Sequence, residues 1–190
     1  MRGREIFYRL KTLISLIVGF WKIFPKRLRI ILFNHFRNIN GKIGLGLRYT
    51  LLRSIAKECG DNVSVFPGCF ILEPSNLVVG NNVSIQPMCY IDATGGIEIQ
   101  DSVSIAHGST IMSTDHDYKG NGIDIKDQQL KLGVVKIENN TWIGAHSTIL
   151  KNVHIPSGSV IAAGAVVTSK LVMDSNCVWG GVPAKLLKHR

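Results

Sequence analysis

The stretch Ile137–Val167, which reads IENNTWIGAHSTILKNVHIPSGSVIAAGAVV, returns to a branched aliphatic residue at every sixth position. These residues are Ile137, Ile143, Ile149, Ile155, Ile161 and Val167. The same spacing holds upstream in three further sets: Val65, Ile71 and Leu77; Val79, Ile85, Ile91 and Ile97; and Ile99, Ile105 and Ile111. A period of six matches neither the period of an amphipathic helix, about 3.6 residues, nor the alternation of a simple strand.

The period of six predicts a chain that folds round a three-sided prism, with a short strand and a corner on each side. One aliphatic side chain per side then points to the axis, and coils of about 18 residues stack with parallel strand pairing. The sets are offset by two residues at 77/79 and 97/99, which predicts extra corner residues and a coil of 20 residues from Val79 to Ile99. Corners such as Ser157-Gly158 carry residues that tolerate tight backbone shapes. A β-sandwich is the alternative, but its strands do not hold one phase over so many residues.

The repeat is interrupted by residues 113–134, STDHDYKGNGIDIKDQQLKLGV, which lack aliphatic residues at the right phase. We expect this segment to leave one corner as a polar loop before coiling resumes. Loops on a rigid scaffold are where function usually resides, so this loop is the first candidate for chemistry.

The N-terminal segment, residues 1–57, carries most of the positive charge. It holds 13 Lys and Arg residues against a single acidic one, Glu5, whereas residues 58–190 hold 9 basic and 12 acidic residues. Its longest uncharged run, Thr12–Trp21, is far shorter than the roughly 20 apolar residues of a membrane-spanning helix. Apolar and basic residues mixed in this way favour helices that lie on an anionic membrane surface through residues 1–40. Packing of these helices on the protein's own body or on a neighbouring subunit is the alternative, and no motif indicates nucleic-acid binding.

The sequence thus divides into a basic helical segment (1–57), a repetitive body (58–175, with the loop 113–134) and a short C-terminal tail (176–190). The four cysteines, Cys59, Cys69, Cys89 and Cys177, show neither zinc spacing nor a disulfide framework. Reduced cysteines indicate a cytoplasmic protein, and the basic segment would hold it peripherally at the inner face of the membrane.

Three stretches resemble the hexapeptide-repeat acetyltransferases, in particular the maltose and galactoside O-acetyltransferase branch and its relatives in capsule and exopolysaccharide clusters. They are STDH (Ser113–His116), NNTWIGAHSTIL (Asn139–Leu150), and VIAAGAVVTSK followed by WGGVPAKLLK near the C-terminus. The resemblance covers roughly residues 58–190. It implies a mainly β, left-handed parallel β-helix and a homotrimer with active sites between subunits. It also implies acetyl-CoA as co-substrate, no metal, and O-acetylation of a saccharide in polysaccharide biosynthesis. The basic N-terminal segment favours a lipid-linked glycan as the acceptor.

The resemblance places His116 at the position of the family's catalytic histidine. An imidazole is a suitable general base, because it can take the proton of a sugar hydroxyl as that hydroxyl attacks a thioester. A solvated loop histidine without a catalytic role is the alternative reading.

Further roles follow from the same resemblance. The predicted acceptor-binding residues are Gln86, Asp92 and Trp142. The predicted CoA-binding residues are Ala145, Ala163, Thr168, Ser169, Lys185 and Lys188. Gln86 stands where the galactoside branch has an asparagine, and this departure puts the acceptor in doubt more than the reaction.

Other functions are compatible with parts of this pattern. N-acetylation of an amino sugar nucleotide would use His116 in the same role, and a non-catalytic scaffold would use no such residue. A γ-class carbonic anhydrase shares the implied fold, but it needs two zinc histidines five residues apart, a spacing that His107, His116 and His146 do not provide. Serine acetylation is disfavoured, because that family carries a larger helical N-terminal domain.

Overall fold

The computed structural model describes residues 3–118, 120 and 122–190. Residues 1, 2, 119 and 121, which belong to the predicted N-terminal segment and loop, lie outside the described residues. The chain begins with three helices, α1 (Gly3–Lys22), α2 (Lys26–His35) and α3 (Gly41–Ile55). Short 3-10 turns cover Phe36–Asn38, Pro74–Asn76 and Ile125–Asp127.

Short strands follow the helices. They are β1 (Glu58–Cys59), β2 (Ser64–Val65), β3 (Phe70–Leu72), β4 (Leu77–Val79), β5 (Ser84–Ile85), β6 (Tyr90–Asp92), β7 (Ile97–Ile99), β8 (Ser104–Ile105), β9 (Thr110–Met112), β10 (Thr114–His116), β11 (Leu130–Leu132), β12 (Val135–Ile137), β13 (Trp142–Ile143), β14 (Thr148–Ile149), β15 (His154–Ile155), β16 (Val160–Ile161), β17 (Val166–Val167), β18 (Cys177–Gly181) and β19 (Ala184–His189).

The strands form three faces of a column, and each coil gives one strand to each face. Face A has the order β1-β4-β7-β12-β15, face B has β2-β5-β8-β13-β16-β18-β19, and face C has β3-β6-β9-β14-β17. Strands of successive coils pair in parallel, and the terminal β18–β19 pair of face B is antiparallel. The prediction of a mainly β, parallel β-helix is therefore confirmed.

The strand register confirms the predicted coil lengths. On face B, Val65 pairs with Ile85 and Ile85 with Ile105, both 20 residues apart. Ile105 then pairs with Ile143 across the loop, and Ile143 with Ile161, 18 residues further on. The column therefore keeps its register although the loop intervenes.

The core is the row of aliphatic side chains along the axis. Ile85, Ile105, Ile143 and Ile161 stack on face B, and all four are fully buried. Burying each such side chain contributes about 1.5–3 kcal/mol. Trp179 pairs with Ile161 and continues the row, so this buried indole closes the C-terminal end of the column.

The helices close the other end. Leu51, Leu52 and Ile55 of α3 are fully buried and belong to the same hydrophobic core as the axial residues. Arg48, also buried, donates from Nε to the carbonyl of Val65 (2.8 Å) and from Nη1 to the carbonyl of Ile39 (2.6 Å). These bonds join α3, the α2–α3 connection and the first coil. In the described part of the chain no helix is both long and apolar enough to cross a membrane.

Candidate active site

The interrupting loop is built on a β-hairpin. Its strands β10 and β11 pair antiparallel, with Thr114 opposite Leu132 at the base and His116 opposite Leu130 further out. The side chain of His116 is exposed. Lys131 forms an ion pair with Asp117 (Nζ–Oδ1 2.8 Å), which braces the hairpin beside His116.

A buried carboxylate holds the base of the hairpin to the column. Asp92, only 7% exposed, ends β6, and its Oδ2 accepts a bond from the hydroxyl of Thr114 (2.7 Å). Its Oδ1 accepts bonds from the backbone N–H (3.0 Å) and the hydroxyl (2.6 Å) of Thr94. The hydroxyl of Ser113 donates to the carbonyl of Asp92 (2.6 Å) and accepts from the N–H of Gly95 (2.8 Å). Asp92 therefore fixes the direction in which the segment carrying His116 leaves the column.

The ionisation of Asp92 fits this anchoring contact. Burial acts to raise the pKa of the Asp92 carboxyl, but the bonds from Thr114 and Thr94 outweigh it and hold the pKa below the ordinary value. The carboxylate is thus an acceptor whose two oxygens are already engaged by hydroxyl and amide donors. Its predicted role in acceptor binding stays a prediction.

A cleft lies on face A beside the hairpin base. Its volume is about 550 Å³, and its lining includes Lys57, Asn76, Thr94, Glu98 and Leu132. The amide of Asn76 donates to the carbonyl of Thr94 (3.1 Å), and the lining also includes the aliphatic side chains of Val78, Ile97, Leu132 and Val134. A cleft of this size can hold a small polar ligand next to the loop.

Ala145 and Ala163 occupy a different corner, the one between faces B and C. The N–H of Gly164 donates to the carbonyl of Ala145 (2.8 Å), and the N–H of His146 donates to the carbonyl of His107 (3.0 Å). These bonds place His107, Ala145 and Ala163 one above another in successive coils. Ala163 is exposed and Ala145 half-buried, so these two positions present only methyl groups at the last two levels of this corner.

His107 and His146 meet at the same corner, with ring centroids 5.0 Å apart and the rings edge to face. Gly108 has φ +66, and a Cβ added there would meet the His146 ring at 2.5 Å. The glycine therefore makes room for the imidazole of the next coil. Among the described residues, no three His, Cys, Asp or Glu side chains gather in a group able to hold a metal ion.

The remaining predicted residues lie apart. Gln86 follows β5 on the corner between faces B and C, two coils from Ala145. Trp142 is 53% exposed on face B, in one cross-strand row with Val160, Val178 and Lys188. Lys185 and Lys188 are both exposed on β19. Thr168 and Ser169 follow β17 on the corner between faces C and A, the corner from which the hairpin leaves.

Seven of the predicted residues therefore fall into two groups within one chain, whereas Trp142, Lys185 and Lys188 lie on face B. His116, Asp92, Thr168 and Ser169 share one corner, whereas Gln86, Ala145 and Ala163 share another. One side of the prism, about six residues and at most about 20 Å of chain, separates the corners.

Sequence reasoning missed the residues that anchor the hairpin, namely Thr94, Gly95 and Thr114. A signal was present in Asp92-Ala93-Thr94, since an aspartate two residues before a threonine favours an Asx turn. The bond to Thr114 spans 22 residues, and only the stacking of coils brings the two side chains together.

Fold and site together define a β-helical transferase built on six-residue repeats. The family model "Bacterial transferase hexapeptide (six repeats)" matches residues 135–169. The galactoside O-acetyltransferase of Escherichia coli (strain K12) is 30% identical over 146 residues, which cover 75% of this chain and 68% of that protein. The chain belongs to the hexapeptide-repeat acetyltransferase family.

Other relatives match in part. An acetyltransferase of Staphylococcus aureus (strain MRSA252) is 43% identical over 58 residues. The match covers 30% of this chain and only 28% of that relative's length. A galactoside acetyltransferase structure in complex with coenzyme A superposes with a TM-score of 0.75 at 27% identity, covering 86% of this chain and 80% of that one. The N-acyltransferase AntD of Bacillus cereus, in complex with dTDP and coenzyme A, gives 0.60 at 26% identity, covering 73% and 87%. These matches confirm the predicted left-handed β-helix.

Proposed function

We propose that this protein transfers the acetyl group of acetyl-CoA to a hydroxyl of a saccharide, with His116 as general base. The observation that carries the proposal is the exposed His116 on a hairpin fixed by the buried Asp92, in a chain that matches a galactoside O-acetyltransferase over most of its length. A rigid base with an accessible imidazole is what attack by a weak hydroxyl nucleophile needs.

In the proposed reaction the sugar oxygen attacks the thioester carbonyl carbon while His116 takes the hydroxyl proton. The carbon–sulfur bond then breaks, and the CoA sulfur leaves and receives the proton from the imidazolium. The products are the sugar ester and free CoA. No covalent enzyme intermediate is required.

The small-residue corner is the proposed seat of acetyl-CoA. Exposed Ala163 and half-buried Ala145 leave room for a thin pantetheine chain along successive coils. Lys185 and Lys188 on β19 supply positive charge for the phosphates at the same end of the column. Thr168 and Ser169 remain CoA-binding candidates on the neighbouring corner.

A homotrimer is part of the proposal, because His116 and the alanine corner lie on different corners of one chain. Packing three columns side by side brings the hairpin corner of one copy against the alanine corner of the next. The site is then completed between subunits, as the resemblance implies.

The acceptor is proposed to be a saccharide that belongs to a polysaccharide or capsule precursor. The named activity of the galactoside relative supports a sugar. The cleft beside the hairpin, with Asn76, Thr94 and Glu98 among its lining residues, offers partners for sugar hydroxyls. Gln86 and Trp142 are further candidates for contact with the acceptor across the subunit boundary.

Release of free thiol from acetyl-CoA in the presence of a sugar panel tests the proposal. We expect His116→Ala to lower kcat by about 10²–10⁴-fold. The matched control is His154→Ala, since His154 is also an exposed histidine but pairs with Glu138 on face A (2.8 Å). Full activity of His116→Ala, or an equal loss in His154→Ala, would refute the role of His116. No turnover together with no CoA binding would favour a non-catalytic scaffold.

N-acylation of an amino sugar nucleotide is the second candidate, and the similarity to AntD favours it. The same assay separates the two activities if the panel includes matched hydroxyl and amino sugars. Turnover confined to the amino sugars would replace the first proposal with the second.

A further inference from the structure

Helix α1 carries apolar residues on two opposite sides. Phe7, Ile14, Val18 and Trp21 pack inward, and the indole of Trp21 donates to the hydroxyl of Thr50 (3.0 Å) on α3. The second stripe, which we call the outer stripe, consists of Leu13, Leu16 and Phe20 on α1 and of Ile23 directly after its end, and these residues are 52%, 67%, 52% and 77% exposed. Its spacing of three and four residues places it on one face of the helix, opposite the inward residues.

This arrangement is unusual for a helix on a protein surface. Such a helix normally shows one apolar stripe towards the core and a polar face towards water. The docking of α1 is already secured without the outer stripe, because Phe7 packs edge-on against Tyr49 and Lys11 forms an ion pair with Asp61 (2.6 Å). The outer stripe is therefore free to bury its apolar area elsewhere.

The charges around the outer stripe select its partner. Arg9, four residues before Leu13, lies on the same face of α1 as the outer stripe, and Lys22, Lys26 and Arg27 are exposed on either side of Ile23 in the sequence. The sequence contains no acidic residue between Glu5 and Glu58, so no carboxylate from this segment offsets them. An apolar stripe bordered by cations complements a bilayer surface that contains anionic lipid.

We propose that the outer stripe of α1 docks on an anionic membrane surface, with Leu16, Phe20 and Ile23 inserted among the lipids and the basic residues at the headgroups. Helix α3 caps the column at its first coil (β1–β3), and the hairpin with His116 leaves from the third coil (β7–β9). Two coil spacings amount to roughly 10 Å, and the packing of α1 on α3 adds an interhelical distance of about 8–10 Å. The surface thus holds the site near the bilayer, which, on the proposed acetyltransferase function, suits a saccharide carried on a lipid.

Flotation of the full chain with phosphatidylcholine vesicles, with and without 30% phosphatidylglycerol (roughly the anionic share that gives a strong surface potential), tests the docking. We expect binding to the anionic vesicles only, and weaker binding at high salt. The double variant Leu16→Glu, Phe20→Glu changes only exposed side chains, and it should lower the partition coefficient by about tenfold or more. The control Val172→Glu, at an 89% exposed valine near the opposite end of the column, should leave it unchanged.

Three results would overturn the proposal. The first is that the wild-type chain does not bind anionic vesicles, and the second is that Val172→Glu lowers the partition coefficient as much as the double variant does. The third is that the double variant changes the oligomeric mass but not vesicle binding, since this would mean that a second copy of the chain covers the stripe. Thiol release with a soluble acceptor is read in parallel. Loss of vesicle binding with unchanged turnover supports the docking surface, whereas absent turnover with intact vesicle binding counts against the acetyltransferase function alone.

Discussion

Removing the hydroxyl of Thr114 should loosen the hairpin from the column. In Thr114→Val the side chain keeps its shape, but Oδ2 of Asp92 loses a 2.7 Å hydrogen bond in a place where the carboxylate is 7% exposed. A hydrogen bond to a charged group is worth about 1.5–3 kcal/mol. For a chain of this length 1 kcal/mol corresponds to a shift of about 2–4 °C, so we expect the Tm to fall by roughly 3–12 °C.

Differential scanning calorimetry at neutral pH measures this effect, with Thr110→Val as the control. Thr110 is the first residue of β9, three positions before the loop begins at Ser113, and it is half-buried. Its substitution by valine removes a hydroxyl that lies outside the Asp92 network. A Tm of Thr114→Val within about 1 °C of wild type, or an equal loss in Thr110→Val, would refute the anchoring role. Because the hairpin carries His116, kcat should fall with the Tm while the KM for acetyl-CoA stays close to that of wild type.

The same prediction has a pH dependence. The pKa of Asp92 is lowered in the folded chain from its ordinary value of 3.8, so its ionised form stabilises the fold above that pH. This contribution is lost as the pH falls through the folded pKa. The difference in Tm between wild type and Thr114→Val should therefore have its full size at pH 7 and become smaller below about pH 3.8. A difference that grows on acidification would contradict the mechanism.

Three further outcomes follow from named contacts. Ile143→Ala should lower the free energy of unfolding by about 2–5 kcal/mol, measured by urea denaturation, because its fully buried side chain lies between two coils. Ala163→Leu should raise the KM for acetyl-CoA with no loss of Tm, since the residue is exposed, and unchanged kinetics would remove this corner from the CoA site. His154 and the Ser157 hydroxyl lower the pKa of Glu138 to about 2, so Glu138→Gln should lower the free energy of unfolding at pH 7. The difference from wild type, measured by urea denaturation, should disappear as the pH falls from 4.5 to about 2.

The repeat made the column predictable from sequence, because each residue that points to the axis is an aliphatic residue at a fixed interval from the previous one. Ile105 and Ile143 keep one phase with their neighbours, so even the coil boundaries were readable. The extra corner residues were readable for the same reason. Six positions separate Ile91 from Ile97 in an early coil. The equivalent inward residues of a later coil, Ile149 and Val153, are four positions apart, so the early corner contains two extra residues.

The N-terminal helices were only half predictable. Composition indicated their helical and basic character, but which side faces the column depends on contacts such as Arg48 with Val65 that leave no periodic signal. The structure agrees with the second reading for α3, and membrane contact by the segment stays a prediction. α3 packs on the body, and the outer stripe of α1 remains uncovered within the chain.

The break in the repeat predicted where the loop leaves the column but not the contacts that direct the loop, and the reason lies in how a coil tolerates insertion. The axial register passes from Ile105 to Ile143 without loss, so the 38-residue separation adds length only at a corner. Closing a longer loop costs little extra entropy, since the cost grows only with the logarithm of its length. The sequence of the hairpin is therefore not constrained by the six-residue repeat of the column. The direction of the hairpin depends on a few polar contacts at its base. Those contacts converge on Asp92, which is why we expect the orientation of His116, as well as the Tm, to depend on that carboxylate.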